Sequence, residues 1–542
     1  MKAPALEARQ GIEIRAISWD RLAELVAKSR IGFVAITTVL VLFGVMRLIQ
    51  ATPYGPGLNG DSFYYYTGAE NLAAGRGFGR IAGSGQFVPT THFPPGYSGV
   101  MAVLQLAGID KLESGNLVNL VSFTGLIVVL AIASRRESGS NIPAYAACAI
   151  LVVSPVLLES YVWAMSEPLY LLFSFAGLYG LVLYLRNRRP ELLVASAALV
   201  GLAWITRYVG VALVGTALAV MVVQRVPWRK RLVGVGIFTA ISCLPMLLWL
   251  ARNAALTGNP ANRRLLWHPI GYPQLKALAL HGLEWFVPAD LVHGKWQALA
   301  MIVVIAVLVG VPVVRLAKRG QFSARFRRTS LPLVLALHAV LYLASLAVSV
   351  SLFDPATQIG GRILLPIYVS VMILGAILGW DIWRHQGWIV RLAIFSAGLF
   401  VLTWNGVEQA QMASSLGQYG LGNAAPSIAE SPTLTAVQEL PDVPIVSNGM
   451  ARLYFWADRN AYAIPWRVDV ETGEPRITYQ DEVRGLQEVL CRDGGALVLF
   501  GPESLLTEQA ALSDLTAGFT RTGKYSDGEI YRCDGLQGTT SP

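Results

Sequence analysis

The stretch "LLVASAALVGLAWITRYVGVALVGTALAVMVV", residues 192–223, is mostly apolar over 32 residues and contains a single charged residue, Arg207. An α-helix rises about 1.5 Å per residue, so one straight helix of this length would measure roughly 48 Å. The hydrocarbon core of a bilayer is only about 30 Å thick. The stretch therefore predicts two short membrane crossings with a turn near Arg207.

The composition of the whole chain supports a membrane protein. The 542 residues are 54% hydrophobic and 14% charged, and the mean hydropathy is +0.50. These values are too apolar for a soluble globular protein. The net charge of +9 does not indicate nucleic-acid binding, because the basic residues form short clusters between apolar runs. That distribution is typical of the cytoplasmic loops of polytopic membrane proteins.

The basic clusters and the number of spans between them predict the topology. Clusters that should share the cytoplasmic side are Arg135-Arg136, "RNRR" (186–189), "RVPWRKR" (225–231), "RLAKRGQFSARFRR" (315–328) and "WRHQGW" (383–388). An even number of spans must separate the cytoplasmic N-terminus from Arg135-Arg136, so residues 94–109 form a surface helix and not a span. About eleven spans result, with the N-terminus inside and the C-terminus outside: 31–49, 114–134, 142–158, 168–185, two in 192–223, 232–251, 297–314, 330–352, 363–380 and 388–404.

This topology divides the chain into three regions. Residues 1–30 are a cytoplasmic amphipathic stretch, and residues 31–404 form the transmembrane domain, with outer loops at 50–113 and 252–296. Residues 405–542 are predicted to be a small extracytoplasmic α/β domain, because "VPIVSN" and "ALVLFG" have the pattern of short buried strands. Cys491 and Cys533 both lie in this outer domain, where a disulfide is permitted, but sequence alone leaves their pairing open.

Unusual polar residues gather at the outer ends of the spans. They are Asp61, His92, Glu159, Glu167, Arg207, Tyr208, Arg252, Asn253 and Arg362. Charged side chains this close to the hydrocarbon cost free energy unless they are paired or wetted, so they indicate function; interface anchoring is the alternative for each arginine. Arginines and carboxylates gathered in one leaflet suit an anionic lipid headgroup. No nucleotide-binding motif and no histidine or cysteine metal motif is visible.

Several segments resemble a known family in order and spacing. They are "NGDSFYYYTGAENLAAGRGFG" (59–79), "HFPPGYSGVMAVLQLAGID" (92–110), "MSEPLYLLFSFAGLYGL" (165–181), "GLAWITRYVGVAL" (201–213), "LARNAALTGNP" (250–260) and "GGRILLPIYV" (360–369). Over about residues 30 to 405 the chain resembles GT-C glycosyltransferases of the protein O-mannosyltransferase and aminoarabinose transferase type. The resemblance implies an α-helical polytopic membrane enzyme of the plasma (inner) membrane. Such an enzyme transfers a sugar from a polyprenyl-phosphate donor to a glycan, lipid or protein acceptor on the extracytoplasmic face.

The resemblance also implies roles for individual residues. Asp61 takes the place of the general base, and Glu167 that of an acid that orients the acceptor or a metal. Arg207, Arg252 and Arg362 would hold the donor phosphate. Further candidates for substrate binding are His92, Tyr64, Tyr208 and Asn253; the alternative for Tyr64 is an interfacial aromatic belt. Two features depart from the family pattern: Ser62 follows Asp61 where a second acid is common, and Phe93 precedes the Pro-Pro pair where a basic residue is common.

Three questions stay open at this stage. A divalent metal ion bound by Asp61 and Glu167 is one alternative, which the serine at position 62 puts in doubt. A transporter or flippase of a lipid-linked or anionic substrate is the alternative function, although no repeat of two halves is visible. A ligase that uses pyrophosphate-linked oligosaccharides would follow the same fold logic with a larger donor.

Overall fold

The structure is a computed structural model that describes residues 28–83, 85–288, 329–353, 357, 359–469, 474–501 and 510–533. The predicted span at 297–314 and nearly all of the predicted N-terminal stretch lie outside the described residues.

Long apolar helices dominate the described chain. Seven are long and apolar enough to cross a membrane: α1 (Arg30–Ala51), α4 (Lys111–Ser138), α7 (Glu167–Asn187), α10 (Trp228–Thr257), α12 (Leu331–Leu352), α13 (Gly361–His385) and α14 (Trp388–Tyr419). Helices α5 (Ile142–Val152) and α6 (Pro155–Val162) form one further apolar pair, bent by 58°. The bend falls where Ser154 caps α6 and Pro155 occupies its first turn. The chain is thus a polytopic, mainly helical membrane protein.

The long apolar stretch at 192–223 forms two helices, as predicted. Helix α8 (Pro190–Thr206) ends at Arg207, whose backbone is extended (φ −147°, ψ 135°). A short 3₁₀ turn (Tyr208–Gly210) leads into α9 (Val211–Val222). The start of α8 and the end of α9 lie side by side, because Arg188 Nη2 donates to Gln224 Oε1 at 3.1 Å. The stretch is therefore a hairpin whose tip carries Arg207.

Residues 94–109 contain only the 11-residue helix α3 (Gly96–Leu106), which at about 1.5 Å per residue is too short to span a bilayer. The prediction that this segment is not a span is confirmed. Helix α3 packs on α2 (Gly60–Ala73) and on α8. The loop also contains the antiparallel hairpin β1 (Gly79–Ile81) and β2 (Phe87–Pro89).

Predicted cytoplasmic segments meet at one end of the helical bundle. Asn141 Nδ2 donates to Ser29 O at 2.9 Å, which joins the start of α5 to the start of α1. Arg186 pairs with Glu137, and its Nε donates to Thr329 O at 2.9 Å. The parity argument is therefore consistent with the contacts between helix ends.

The C-terminal residues form a mixed α/β unit at the opposite end of the bundle. Its five-stranded sheet has the order β4 (Tyr462–Ala463), β3 (Ile445–Ser447), β5 (Ala496–Phe500), β7 (Gly528–Cys533) and β6 (Phe519–Lys524). The first three strands are parallel, and β5, β7 and β6 are antiparallel. The described helices of this unit are α15 (Pro426–Ala429), α16 (Pro432–Gln438), α17 (Met450–Trp456), α18 (Tyr479–Arg492) and α19 (Leu512–Thr516), and helix α11 (Tyr272–Glu284) belongs to the second outer loop.

One covalent bond lies within this unit, and a side-chain contact joins the unit to the first outer loop. A disulfide joins Cys491 on α18 to Cys533 at the end of β7, which answers the question that the sequence left open. Tyr454 donates to Glu70 in the first outer loop, so the α/β unit rests on that loop. Helix α14 continues to Tyr419, beyond residue 404 where its hydropathy pattern ends.

Candidate active site

Asp61 lies in the first turn of α2 because the residues on either side of it start that helix. Asn59 Oδ1 accepts from Ser62 N at 2.9 Å, and Ser62 Oγ accepts from Asn59 N at 3.2 Å. This reciprocal pair is a capping arrangement that satisfies free N–H groups at a helix start. Ser62 is fully buried and also donates to Ala164 O at 3.0 Å. The position therefore has no space or solvation for a second carboxylate.

Glu167, Arg207 and Arg362 meet although they are far apart in sequence. Glu167 Oε1 lies 2.7 Å from Arg207 Nη1 and 3.1 Å from Arg362 Nε. The Glu167 carboxylate is buried at the start of α7, so the two guanidinium groups compensate a charge that burial alone would make costly. Neither Glu167 oxygen has a hydrogen bond of good geometry within the described residues, although Oε1 is ion-paired with both arginines. The cluster is thus held together by charge.

A buried hydroxyl connects this cluster to α2. Ser166 Oγ accepts from Arg207 Nη1 at 3.1 Å and lies 3.1 Å from the hydroxyl of Tyr65. Ser166 is fully buried. Sequence reasoning did not select Ser166 or Tyr65, and the only available signal was the position of Ser166 directly before Glu167.

Close backbone packing brings the tip of the α8–α9 hairpin to the start of α3. A Cβ atom on Gly96 would lie 2.7 Å from Thr206 Oγ1 and 2.8 Å from Ile205 O. Only glycine permits this approach. The Pro-Pro-Gly turn consequently sets where Arg207 stands relative to the first loop.

The environment of Asp61 favours its protonated form more than water does. Burial raises the pKa of Asp61 above its ordinary value of 3.8, and the charge of Glu167 adds to this effect. Arg362 and Arg207 act in the opposite direction without cancelling it. A carboxylate with a raised pKa is a stronger base, which suits a group that accepts a proton.

Asp61, Arg207 and Arg362 line a cavity of about 900 Å³, whereas the buried Glu167 is not part of its wall. One part of its wall is polar and carries five of the sequence-predicted residues, Asp61, His92, Arg207, Tyr208 and Arg362, together with Arg263. Another part is apolar and follows α12 and the turn before α9: Val209, Val211, Leu341, Ala344, Leu346 and Val348. Val348 is 50% exposed, so the apolar wall continues to the lipid-facing surface. The cavity has the form required by an amphipathic ligand with an anionic head and an apolar tail.

The structure separates two of the tyrosines that the sequence presents side by side. Tyr64 packs against Phe93 with ring centroids 5.6 Å apart and is not part of the cavity wall, whereas Tyr65 is. Consecutive helix residues point about 100° apart, so the two rings lie in different surroundings. His92 lines the cavity and contacts the Phe93 ring edge-on at 4.9 Å.

Arg263 is a cavity residue that sequence reasoning missed. It lies in the loop after α10 and its guanidinium stands 5.9 Å from the centre of the Tyr208 ring. The Tyr208 hydroxyl accepts from Trp249 Nε1 at 2.9 Å, which holds the ring in place. The adjacent pair Arg263-Arg264 in an outer loop was the signal that could have identified this residue.

Arg252 and Asn253 lie outside the cavity and hold the first loop. Arg252 Nη1 donates to Thr90 O at 2.8 Å and its Nη2 to Phe78 O at 2.9 Å. Asn253 Nδ2 donates to Thr91 O at 3.0 Å. The two side chains thereby anchor the segment that carries His92. They act on the site through the loop and do not face the cavity.

The donor set does not fit a resident divalent metal ion. Asp61 and Glu167 are the two carboxylates of the site, and one oxygen of Glu167 already meets two guanidinium groups. Across the described part of the chain, no three His, Cys, Asp or Glu side chains are grouped as metal ligands. Magnesium and calcium require several oxygen ligands.

Comparisons with known proteins agree with this architecture. The family model for dolichyl-phosphate-mannose-protein mannosyltransferase matches residues 95–249. The fold is similar to ArnT from Cupriavidus metallidurans in the apo state, with a TM-score of 0.58 and 15% identity over 92% of this chain and 97% of ArnT. For ArnT bound to undecaprenyl phosphate the TM-score is 0.57 and the identity 15%, over 94% of this chain and 100% of ArnT.

An archaeal protein has a similar fold. The oligosaccharyltransferase AglB from Archaeoglobus fulgidus gives a TM-score of 0.54 and 11% identity over 86% of this chain and 69% of AglB. No curated protein matches the sequence significantly. The chain therefore has the same fold as ArnT and AglB, the GT-C fold. The predicted resemblance is confirmed by this fold and by the mannosyltransferase family model, which matches residues 95–249.

Proposed function

We propose that the protein transfers a sugar from a polyprenyl-phosphate donor to an acceptor on the extracytoplasmic side of the membrane. The observation that carries this proposal is the cavity itself, in which an arginine cluster, a carboxylate with a raised pKa and an apolar wall open to lipid lie together. The similar ArnT structure bound to undecaprenyl phosphate supports the class of donor.

The arginines would bind the donor phosphate. Arg207 and Arg362 have further N–H groups besides those that face Glu167, and Arg263 lines the same cavity. Guanidinium groups bind phosphate oxygens with paired, charge-assisted hydrogen bonds. The polyprenyl chain would lie along the apolar wall formed by α12. Burial of each additional CH₂ of that chain contributes about 0.8 kcal/mol.

The transfer step needs a base on the acceptor side. The acceptor hydroxyl oxygen attacks the anomeric carbon, and Asp61 accepts the proton of that hydroxyl. The bond between the anomeric carbon and the phosphate oxygen breaks, and the polyprenyl phosphate leaves with the electron pair. Attack opposite the leaving group inverts the anomeric centre. Arg207, Arg362 and Arg263 stabilise the charge that builds on the phosphate, which is most effective in a site with little water.

Glu167 would act on orientation. Its Oε1 holds both arginines at a fixed distance. Glu167 is therefore a positioning residue for the donor site.

The disulfide supports the proposed orientation. Disulfides persist in oxidising compartments outside the cytoplasm, and Cys491–Cys533 lies in the same unit that rests on the first outer loop. The site and the α/β unit are at the same end of the bundle, so both would face outward.

The test is sugar transfer by the purified full-length protein in lipid nanodiscs. The donors are a polyprenyl monophosphate and a polyprenyl pyrophosphate carrying the same labelled sugar. We expect release of polyprenyl monophosphate together with labelled acceptor only from the first donor. Use of the pyrophosphate donor alone would indicate a ligase. Passage of intact donor across sealed vesicles, with no cleavage, would show a flippase and refute the proposal.

A further inference from the structure

A second concave surface lies in the α/β unit, away from the membrane cavity. Its volume is about 460 Å³, within the range of ligand pockets of about 300–1,000 Å³. It lies between the helix α18 and a pair of extended segments that are joined by the bridge between Val468 and Pro475. We call it the Trp466 groove, after the ring that forms one wall; its other lining residues include Ile464, Arg476, Glu482, Gly485 and Leu486.

One wall of the groove is an aromatic ring that no fold contact fully covers. Trp466 is 44% exposed. Exposure of so large an apolar ring costs free energy in water, and such rings are enriched where a ligand covers them. The axial C–H groups of a pyranose ring form an apolar face that can stack on an indole.

The polar side chains of the groove compensate each other. Arg476 Nη2 donates to Glu482 Oε1 at 2.6 Å, and Arg476 Nη1 donates to Trp466 O at 3.4 Å. Thr478 Oγ1 also donates to Glu482 Oε1 at 2.7 Å. The groove therefore presents hydrogen-bonding groups without net charge. That combination suits a neutral, hydroxyl-rich ligand better than a phosphate or an anionic lipid.

The segment that carries Trp466 is linked to the mouth of the membrane cavity. Asp469 Oδ2 lies 3.6 Å from Arg264 Nη1, and the adjacent Arg263 lines the cavity. The same side of the unit also contacts the first loop, since a Cβ on Gly83 would meet the Tyr462 ring at 2.7 Å. A ligand in the groove would thus be held close to the mouth of the membrane cavity.

From these observations we propose that the Trp466 groove binds neutral sugar units of a glycan acceptor. Trp466 supplies the stacking surface, and the Arg476–Glu482 pair hydrogen-bonds the hydroxyl groups. The description of this glycan as an acceptor rests on the proposed transferase function. The binding itself requires neither a donor nor a transfer reaction.

Binding is tested on the full-length protein in nanodiscs without donor, by saturation-transfer difference NMR. The probes are the trisaccharides of mannose, glucose and galactose, with a galacturonic acid trisaccharide as the anionic comparator. We expect saturation of at least one neutral trisaccharide. Replacing Trp466→Ala should weaken its binding about tenfold, which corresponds to about 1.4 kcal/mol, because the variant loses the stacking surface.

Two further variants keep the test independent of folding. Gly485 is exposed, and a Cβ there would meet no atom within 4 Å, so Gly485→Trp fills the groove without removing a contact and should also weaken binding about tenfold or more. Ile477 is 98% exposed and does not line the groove, so Ile477→Ala should bind as the wild type does. Absence of neutral trisaccharide binding, tighter binding of the anionic probe, or binding that survives both groove variants would overturn the inference. Trisaccharide binding without any sugar transfer would refute only the proposed function.

Discussion

Replacement of Asp61 by asparagine tests the role of the proposed base with minimal change in shape. The amide side chain of Asp61→Asn has the size of the carboxylate but cannot accept the acceptor proton. A positioned general base contributes about 100- to 10,000-fold to a rate, so kcat should fall by that factor. This corresponds to about 3–5 kcal/mol of lost transition-state stabilisation.

The structure also predicts how stability responds to the same change. The pKa of Asp61 is raised by burial, so the ionised carboxylate destabilises the fold at pH values above that raised pKa. A neutral asparagine lacks this cost. The thermal midpoint of Asp61→Asn at neutral pH should therefore equal or exceed that of the wild type, which separates loss of catalysis from loss of folding.

The assay measures release of polyprenyl monophosphate in nanodiscs at saturating donor. In the wild type, kcat should fall towards acidic pH with a midpoint above 3.8, the ordinary pKa of aspartate. Asp110→Asn is the matched control: Asp110 Oδ1 accepts from Leu112 N at 2.8 Å at the start of α4, and asparagine caps a helix equally well. If Asp61→Asn retained more than about a tenth of the wild-type rate, a loss well below the range expected of a general base, Asp61 would not be the base.

Three further predictions concern the contacts around the site. Arg207→Met leaves the buried Glu167 carboxylate with one cation instead of two, so the free energy of unfolding in nanodiscs should fall by up to about 3 kcal/mol. Adding Glu167→Gln to the same chain should restore stability but not sugar transfer. An unchanged thermal midpoint for Arg207→Met would contradict the pairing. Arg252→Lys loses one of the two hydrogen bonds to carbonyl groups of the first loop and should therefore lower the thermal midpoint. KM for the donor should stay within about twofold of the wild-type value, because the side chain does not face the phosphate site. A large rise in KM would instead place Arg252 on the phosphate. Cys491→Ser removes the disulfide to Cys533, 42 residues away, and should lower the free energy of unfolding of the α/β unit by about 4 kcal/mol. Limited proteolysis measures this change. Unchanged protection of the unit would disprove the contribution of the disulfide.

The topology was predictable because it depends on lengths and charges that are local in sequence. Residues 192–223 were too long for one crossing, and residues 94–109 too short for any. The structure confirms both predictions, with a hairpin tip at Arg207 and the short helix Gly96–Leu106. The thickness of the bilayer sets the length of each spanning helix, so these predictions required no knowledge of tertiary packing.

For the site, the sequence predicted only that its charged residues lie in the same leaflet of the membrane. Hydropathy places Glu167, Arg207 and Arg362 at the outer ends of their helices, but it does not say which atoms meet. Arg252 is at the same depth by sequence, yet its side chain turns towards the carbonyls of the first loop. Arg263 belongs to a loop, and loops have no period from which a direction could be inferred.

The sequence by itself determined that this protein crosses the membrane many times and which end of each helix carries charge, because the thickness of the hydrocarbon and the cost of unpaired charge act on each segment separately. Only the tertiary structure decided that two arginines share one oxygen of Glu167 and that Tyr65, rather than Tyr64, lines the cavity. The rotation of each helix about its axis and the path of each loop follow from packing against distant segments. Close approaches such as that of Gly96 to Thr206 join residues that are distant in sequence, so they depend on tertiary packing.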